Sequence, residues 1–298
     1  MAFPPVEEIR RTAAEGWIWG YALLENYHVL YRQAVEGGVG FGVFHHETAP
    51  SGPDGPPSAW AWLDLRAEPW VLTVPATERG YVVAVHDLDT SYVGFVGSGS
   101  TGGEGGHHLI TGPGWQGRVP DGVTGVLRAD TTLVGLTGRT QPVGGEDGAE
   151  AVYTAFRRGF RIRPLSDYLG RGTPEPAPEP AWPIWREEAM DTVEFFAVLD
   201  FLLGFCPVLP LEAVLRERLA ALGVGTEGEF EPGDLTAGAE QAFEHGIADA
   251  HQRLAAAKSA RGPDSLLFGT RAELAENPLA RAVGASVGLH TLPSYAWF

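Results

Sequence analysis

The sequence predicts an α+β fold: a β-sandwich or jelly-roll-like domain with an N-terminal helix, followed by a helical C-terminal region. Two observations predict it. Apolar residues recur with a period near 3.6 over residues 6–36 and again in three runs after residue 192, as they do in helices. Between residues 59 and 140 the period falls to two, in short runs separated by turn residues, which is typical of a sandwich.

These patterns divide the chain into three parts. Residues 1–47 form an N-terminal helical segment, and residues 48–170 form the β-sandwich domain. Residues 171–298 contain a Pro-rich crossing segment, a helical region and the start of a truncated second domain. The N-terminal helix carries aromatic residues on most of its sides, so we expect it to be buried.

The predicted strands are short apolar runs bounded by turn residues. They are residues 59–65, 69–75, 80–88, 91–97, 107–112, 122–129 and 131–140. The run GYVVAVHDL (80–88) is apolar on both alternating faces where it begins, as expected of a strand covered on both sides. The segment GSGSTG (97–102) has the letters of a dinucleotide-binding motif, but the glycine-rich sequence after it cannot form the required helix, which favours a turn.

The remaining elements are predicted to be mainly helical. Residues 145–169 are expected to form one helix that ends in a turn, and the Pro-rich residues 172–183 an extended crossing segment. Three helices follow, at residues 192–205, 211–224 and 234–260. We expect Gly223 to end the second of these helices and Asp234 to cap the third.

Composition and charge exclude several classes of function. Of 298 residues, 44% are hydrophobic, which is too many for a disordered chain. The net charge of −17 disfavours nucleic acid and anionic membranes as partners. No apolar run is long enough to span a bilayer and residues 1–12 lack a signal-peptide core, so we expect a soluble, cytoplasmic protein. The single Cys206 excludes an internal disulfide and a multi-thiolate zinc site, and no motif for a cofactor is present.

Several runs are similar to a known bacterial family. They are WLDLRAEPWVLTVP (62–75), HDLDTSYVGFVGSGSTGG (86–103), LITGPGWQGRVPDGV (109–123) and LTGRTQPVGGEDGAEAV (136–152). Together with the later EFFAVLDFLL and ALGVGTEGEF, they resemble proteins built from domain of unknown function 1254 followed by domain of unknown function 1214. The resemblance implies a β-sandwich first domain with helical flanks, a linking helical segment and a second jelly-roll-like domain. It implies architecture more than activity, since the family has no generally established reaction.

The chain departs from that family pattern in two places. Family members usually carry Asn-x-Asp-Thr-x-Tyr just before the WLDL run, where this chain has GPDGPPSAWAW (52–62). Asp54 corresponds to the family Asp only with a shift of one residue. The chain also stops at Phe298, near the point where the second jelly-roll would begin. We therefore expect a shortened relative whose ancestral site has been rewritten.

The best candidates for chemistry are histidines and aspartates near strand ends. We predict His86 as an acid/base residue, with Asp87 or Asp89 fixing its tautomer. A metal site that uses His86 with His107 or His108 is the alternative, although neighbouring residues on a strand point to opposite faces. The residues His45-His46-Glu47 are expected to form a plain exposed loop.

Aromatic residues are the candidates for substrate walls. Trp60 and Trp62 are predicted to share one strand face, and Trp17 lies on the preceding helix. Asp54 and Tyr92 are expected to add polar contacts. Arg139 lies in LTGRT, where it matches the family pattern; it either clamps a carboxylate or pairs with one of the many acids.

Our leading hypothesis from the sequence is a cofactor-independent tailoring enzyme acting on an apolar small molecule, for example in specialised metabolism. It would be a cyclase, isomerase or lyase that works by shape and proton transfer. The alternative is a non-catalytic protein that binds a small molecule, a glycan or a partner protein. In a third interpretation a second copy or a partner chain supplies the missing domain, with PSYAWF (293–298) packed in a homo-oligomer interface.

Overall fold

The structure is a computed structural model that describes residues 4–50, 57–77, 80–140, 158–262, 266–274 and 277–288. Two compact units are formed. One joins the N-terminal residues through Tyr31 to the C-terminal part from Ala181 onward, and the elements described in it are helices and helical turns. The other extends from Arg32 to Pro180 and holds the strands. Helices and strands thus lie largely in separate units, in agreement with the predicted α+β class.

The described residues form nine strands in two sheets. They are β1 (His45–Pro50), β2 (Pro57–Asp64), β3 (Trp70–Val74), β4 (Tyr81–Asp87), β5 (Tyr92–Gly97), β6 (Gly106–Thr111), β7 (Gly125–Arg128), β8 (Leu133–Thr140) and β9 (Arg161–Pro164). The five-stranded sheet has the order β1-β2-β8-β4-β5 and is antiparallel throughout. The four-stranded sheet has the order β7-β6-β3-β9, and only its β6–β7 pair is parallel. All seven predicted strand runs are confirmed.

The core of this unit lies between the two sheets. It is built from alternate residues of each strand, which share one face because the side-chain period of a strand is two. Its members include Ala59, Ala61, Leu63, Leu72, Val74, Val83, Val85, Ile110, Val134 and Leu136. Strand β4 is buried at every position, so the predicted cover on both of its faces is confirmed.

Two sequence predictions for this unit are wrong. One helix over 145–169 was expected, but residues 161–164 form strand β9, paired with β3. In the described part of that range, residues 158–159 and Leu165–Tyr168 (α2) are helical, and residues 145–157 lie outside it. Phe160 and Ile162 alternate onto the core, and this period of two decides the conformation. His45 and its neighbours form strand β1 rather than a loop, because β2 offers a free edge for pairing.

The helical unit is built around its first helix. The helices are α1 (Val6–Leu30), α3 (Glu194–Leu203), α4 (Ala213–Ala221), α5 (Ala237–Ala260), α6 (Arg271–Leu274) and α7 (Pro278–Val287). A π-helical turn (Tyr31–Glu36) follows α1, and 3₁₀ turns lie at Glu187–Asp191 and Pro232–Asp234. None of the helices in the described part of the chain combines the length and apolarity needed to cross a membrane.

Helix α1 contacts α3, α4, α5 and α7, and three of its four aromatic side chains, Trp17, Trp19 and Tyr27, are buried as predicted, while Tyr21 is half-buried. Trp17 and Tyr27 have no exposed surface. Helix α5 packs closely against α1 at Gly246. Any other residue there would place a Cβ atom 2.5 Å from the carbonyl oxygen of Arg10 on α1. The prediction that Asp234 caps α5 is wrong: Thr236 is the N-cap, and its side chain accepts a hydrogen bond from the backbone N–H of Ala239 at 3.3 Å.

Candidate functional site

The predicted site residues come together on one face of the five-stranded sheet. We call the face that points away from the sandwich core the outer face. Strand register places Trp62, Gly135, His86 and Tyr92 in one row across β2, β8, β4 and β5. We call these four residues the His86 row. Three of its members, Trp62, His86 and Tyr92, were predicted site residues, and the pairing of four strands is what aligns them.

A second row lies beside it on the same face. Register aligns His45, Trp60, Thr137, Ala84 and Phe95, which we call the Trp60 row. The rings of His45 and Trp60 are stacked, with centroids 4.7 Å apart and planes inclined by 27°. His45 is exposed and Trp60 is half-buried, whereas Ala84 and Thr137 are buried. The prediction that Trp60 and Trp62 share a face is confirmed, and the Trp60 row is the more accessible of the two.

His86 is enclosed by the row that carries its name. Only 1% of its surface is exposed. Its ring meets the indole of Trp62 edge-on, with centroids 5.6 Å apart and an angle of 90° between the planes. The opposite position on β8 is Gly135, where a Cβ would lie 2.1 Å from Cε1 of His86. The absence of a side chain at Gly135 therefore makes the space that the imidazole fills.

Burial sets the charge of His86. It lowers the pKa of the imidazole to about 4, because a cation in a water-free interior loses its hydration. A hydrogen bond between Nδ1 and the backbone carbonyl oxygen of Asp87, with a distance of 3.2 Å, and the negative charge of Asp89 act in the opposite direction and are weaker. At neutral pH the ring is therefore neutral.

Asp87 is directed into the turn before β8 rather than toward the imidazole. Its Oδ1 atom accepts hydrogen bonds from the backbone N–H of Asp130 (3.0 Å), the backbone N–H of Thr131 (2.9 Å) and the hydroxyl of Thr131 (2.9 Å). A carboxylate that binds three donors in one turn holds that turn in place. The backbone carbonyl oxygen of Asp87 contacts Nδ1 of His86.

Asp89 closes the turn between β4 and β5. Its two carboxylate oxygens accept hydrogen bonds from the backbone N–H and the hydroxyl of Ser91, both at 3.2 Å. Thr90, between them, has a φ of 72°, in the left-handed region that residues other than glycine seldom adopt. The contacts of Asp89 stabilise this conformation, and its effect on His86 is that of a nearby charge.

The other predicted residues are dispersed. Arg139 is half-buried on the outer face, opposite Val82, and lies two residues along β8 from Thr137 of the Trp60 row. Trp17 belongs to the helical unit, where its indole N–H donates to the carbonyl oxygen of Met190 at 2.9 Å. Asp54 and the segment 293–298 lie outside the described residues.

The three histidines considered for a metal site do not converge. His86 lies on the outer face of the five-stranded sheet. His107 and His108 are neighbours on β6, paired with Thr73 and Leu72, so His108 shares the core face of the four-stranded sheet with Leu72 and His107 points away from it. Within the described part of the chain, no three His, Cys, Asp or Glu side chains are arranged to hold a metal ion.

Sequence reasoning missed the residues that connect the strands. His45 was placed in a loop, and Gly135 and Thr137 were not considered. The signal for the last two is that the small residues Gly135 and Thr137 follow each other at alternate positions of LVGLTGRT, which leaves room on one face of β8. Gln33 was also missed: its side-chain oxygen accepts a hydrogen bond from the indole N–H of Trp62 at 2.8 Å.

Two cavities are lined by residues of the helical unit. One of about 550 Å³ is lined by charged side chains of α1 and α5, among them Arg10 and Asp249, which form a bidentate pair at 2.6 and 2.8 Å. The other, of about 610 Å³, lies beside the 3₁₀ turn that precedes α3 and includes the exposed Ile184. Neither contains a residue that the sequence analysis singled out.

Comparisons with known proteins concern the fold. Residues 54–164, which include β2 to β9, match the profile of the family described as "Protein of unknown function (DUF1254)". The crystal structure of the VPA0106 protein from Vibrio parahaemolyticus is similar over 97% of this chain and 68% of its own, with a TM-score of 0.79 and 25% sequence identity. Among curated proteins, none matches. The profile agrees with the first domain of the family resemblance, and the second, domain of unknown function 1214, stays a prediction.

Proposed function

We propose that this protein binds an apolar small molecule on the outer face of its five-stranded sheet. The observation that carries the proposal is the stacked pair of the exposed His45 and the half-buried Trp60, on the same face as the enclosed His86. Small-molecule sites are lined mainly by aromatic and apolar side chains, with a few polar groups that fix orientation. A net charge of −17 supports a small ligand over a nucleic acid.

His86 supplies the polar contact in this proposal. Its imidazole is neutral, so Nδ1 donates to the carbonyl oxygen of Asp87 and Nε2 acts as an acceptor. A ligand hydroxyl or N–H is the matching group. Since 1% of His86 is exposed, the ligand meets Trp60 first and reaches the imidazole only when neighbouring side chains move.

A cyclase, isomerase or lyase reaction is the second candidate function. It is supported by the position of a water-free imidazole against the indole of Trp62, where proton transfer is protected from solvent. However, a pKa of about 4 makes His86 a weak base at neutral pH, and the carboxylates of Asp87 and Asp89 bind backbone groups in turns. Binding without turnover is therefore our first choice.

Binding is tested with the fluorescent apolar dye Nile red and two matched tryptophan variants. Trp60→Leu removes the stacked surface, whereas Trp115→Leu removes an equally half-buried indole from the loop between β6 and β7. We expect Trp60→Leu to weaken dye binding by about 2- to 10-fold, the range for loss of one aromatic pair. Trp115→Leu should leave binding unchanged. Equal effects of the two variants, or no dye binding by the folded wild type, would refute the proposal.

Turnover is tested separately. Apolar compounds that displace Nile red are incubated for hours with the wild type and with His86→Asn, and are then recovered and identified by mass spectrometry. Unchanged compound in both samples supports binding alone. Conversion that disappears in His86→Asn supports the reaction, and equal conversion by both proteins removes His86 from the chemistry.

A further inference from the structure

A group of polar side chains lies on the other side of the sandwich, on the face of the four-stranded sheet that points away from the core. Strand register aligns His107, Thr73 and Arg161 across β6, β3 and β9. Arg163 is two residues further along β9 and shares this face, because Ile162 between them packs against the core. Two arginines and a histidine thus point to the same side of the sheet.

Contacts with helix α2 draw these side chains together. The ring of Tyr168 lies 5.2 Å from the ring of His107, centroid to centroid. The guanidinium carbon of Arg163 lies 5.4 Å from the centre of the same Tyr168 ring, a distance typical of a cation–π contact. Below them, Thr73 Oγ1 and His107 Nδ1 are 3.0 Å apart. We call these four side chains, His107, Thr73, Arg163 and Tyr168, together with the neighbouring Arg161, the cup.

The cup holds positive charge that no carboxylate of the described residues neutralises. The Nε atom of Arg163 is buried and has no hydrogen-bond partner among those residues. Glu68, on the loop before β3, accepts hydrogen bonds from the backbone N–H (2.6 Å) and the hydroxyl (2.7 Å) of Ser166, at the start of α2. The exposed Asp167 on α2 forms no ion pair with Arg161 or Arg163 in the described part of the chain. A buried guanidinium N–H without an acceptor is costly, and an anion removes that cost.

We propose that this cup is a second binding site, which takes the carboxylate or phosphate group of a small molecule. The planar guanidinium of Arg163 donates to two oxygens of the anion, and the exposed Arg161 adds a second positive charge. The hydroxyl of Thr73 donates to Nδ1 of His107, which places the ring proton on Nε2 and makes it a donor toward the same anion. The site goes beyond the proposed binding of an apolar molecule, since it uses the opposite side of the sandwich and none of the same residues.

The probes for this site are inorganic phosphate and acetate, titrated at constant ionic strength with chloride as the balancing anion. Binding is followed through the imidazole NMR signals of His107, which are assigned with the variant His107→Gln. We expect these signals to shift with at least one probe and to stay in place with chloride. Tighter binding of phosphate assigns the site to phosphate groups, and tighter binding of acetate assigns it to carboxylates. No shift with either probe would overturn the proposal.

Two charge-matched variants separate a site from general electrostatics. Arg163→Gln should weaken binding of the better probe by about ten-fold, as expected for loss of a charge-assisted hydrogen bond. Arg128→Gln removes the same charge from exposed residue 128 on β7, at the opposite edge of the sheet, and should change the affinity less than about two-fold. Equal losses in both variants would overturn the proposal. If Arg163→Gln does not fold, Arg163→Lys keeps the charge without the planar fork, and weaker binding by that variant gives the same answer.

Discussion

The imidazole of His86 occupies the space that a side chain at position 135 would need. A Cβ on Gly135 would lie 2.1 Å from Cε1 and 2.3 Å from Nε2 of that ring. The two residues face each other across β4 and β8, next to Trp62 on β2. A glycine in the interior of a paired strand is unfavourable by itself. Here a glycine is required because the ring of His86 packs directly on its Cα.

Replacing this glycine tests the packing directly. Gly135→Ala forces the ring of His86 or the strand to shift, and we expect unfolding free energy to fall by about 1–3 kcal/mol, as for other overpacked cores. Gly172→Ala is the matched control, since its new methyl group would have no described atom within 4 Å, and it should stay within about 0.5 kcal/mol of the wild type. Urea unfolding measures both. Equal stability of the two variants would mean that the ring of His86 is free to move.

The low pKa of His86 predicts how stability depends on pH. The folded imidazole has a pKa of about 4, whereas an unfolded one has a pKa near 6.5. Between these values the unfolded chain binds a proton that the folded chain does not, so stability falls as the pH is lowered from about 6.5 toward 4. The slope for one such group is about 1.4 kcal/mol per pH unit, and the loss about 3 kcal/mol in all. Above pH 6.5 this group contributes no pH dependence.

Other groups also titrate in acid, so the measurement is a difference. Unfolding free energies of the wild type and His86→Gln are compared at pH 7, 5.5 and 4.5. We expect the gap between the two proteins to change by about 1–3 kcal/mol in favour of the variant as the pH falls. Parallel pH profiles would show that the folded protein protonates His86 as readily as the unfolded chain does.

The carboxylate of Asp87 is predicted to stabilise the folded state. Asp87→Ala removes the acceptor of the backbone N–H groups of Asp130 and Thr131, whereas the hydroxyl of Thr131 keeps the carbonyl oxygen of Leu133 as an acceptor at 2.8 Å. We expect the free energy of unfolding to fall by about 2–4 kcal/mol. Asp121→Ala is the control, because that side chain is 94% exposed and its ion pair with Arg118 contributes at most about 0.5 kcal/mol. If Asp87→Ala is fully stable but loses ligand binding, the carboxylate belongs to the site.

The hydrogen bond between Trp62 and Gln33 gives a further prediction. Trp62→Phe keeps an aromatic ring in the His86 row but leaves the side-chain oxygen of Gln33 without its indole donor. We expect a loss of about 1–3 kcal/mol, measured by urea unfolding. Trp115→Phe makes the same change on a loop and should cost less than about 1 kcal/mol. Equal losses would show that the Gln33 contact adds nothing.

The strands were predictable because their signal is local. The run at 80–88 alternates apolar residues on both faces, and β4 lies within it. Residues 160–164 also alternate between apolar and polar side chains, but the helical pattern before them obscured a strand of four residues. His45 belongs to a strand only because β2 lies beside it. An edge strand is fixed by its partner, which a single sequence does not reveal.

The candidate site was predictable only in part, for a similar reason. Trp60 and Trp62 are two residues apart on one strand, so spacing alone puts them on one face. That His86 and Tyr92 join them depends on the register of three strand pairs. Asp87 and Asp89 are close to His86 in sequence, yet their carboxylates bind turns, because a strand end offers backbone donors that compete for them.

The full burial of β4 also makes the amide protons of this strand a measure of global unfolding by hydrogen exchange. Hydrogen bonds to β5 and β8 hold both edges of the strand, and its seven residues are buried on both faces. Amide protons in such a strand exchange with deuterium only when the surrounding structure unfolds as a whole. The exchange rates of Val83 and Val85 therefore serve as an internal measure of global stability. The exchange rates of amide protons near either proposed site can be compared with them to detect local opening.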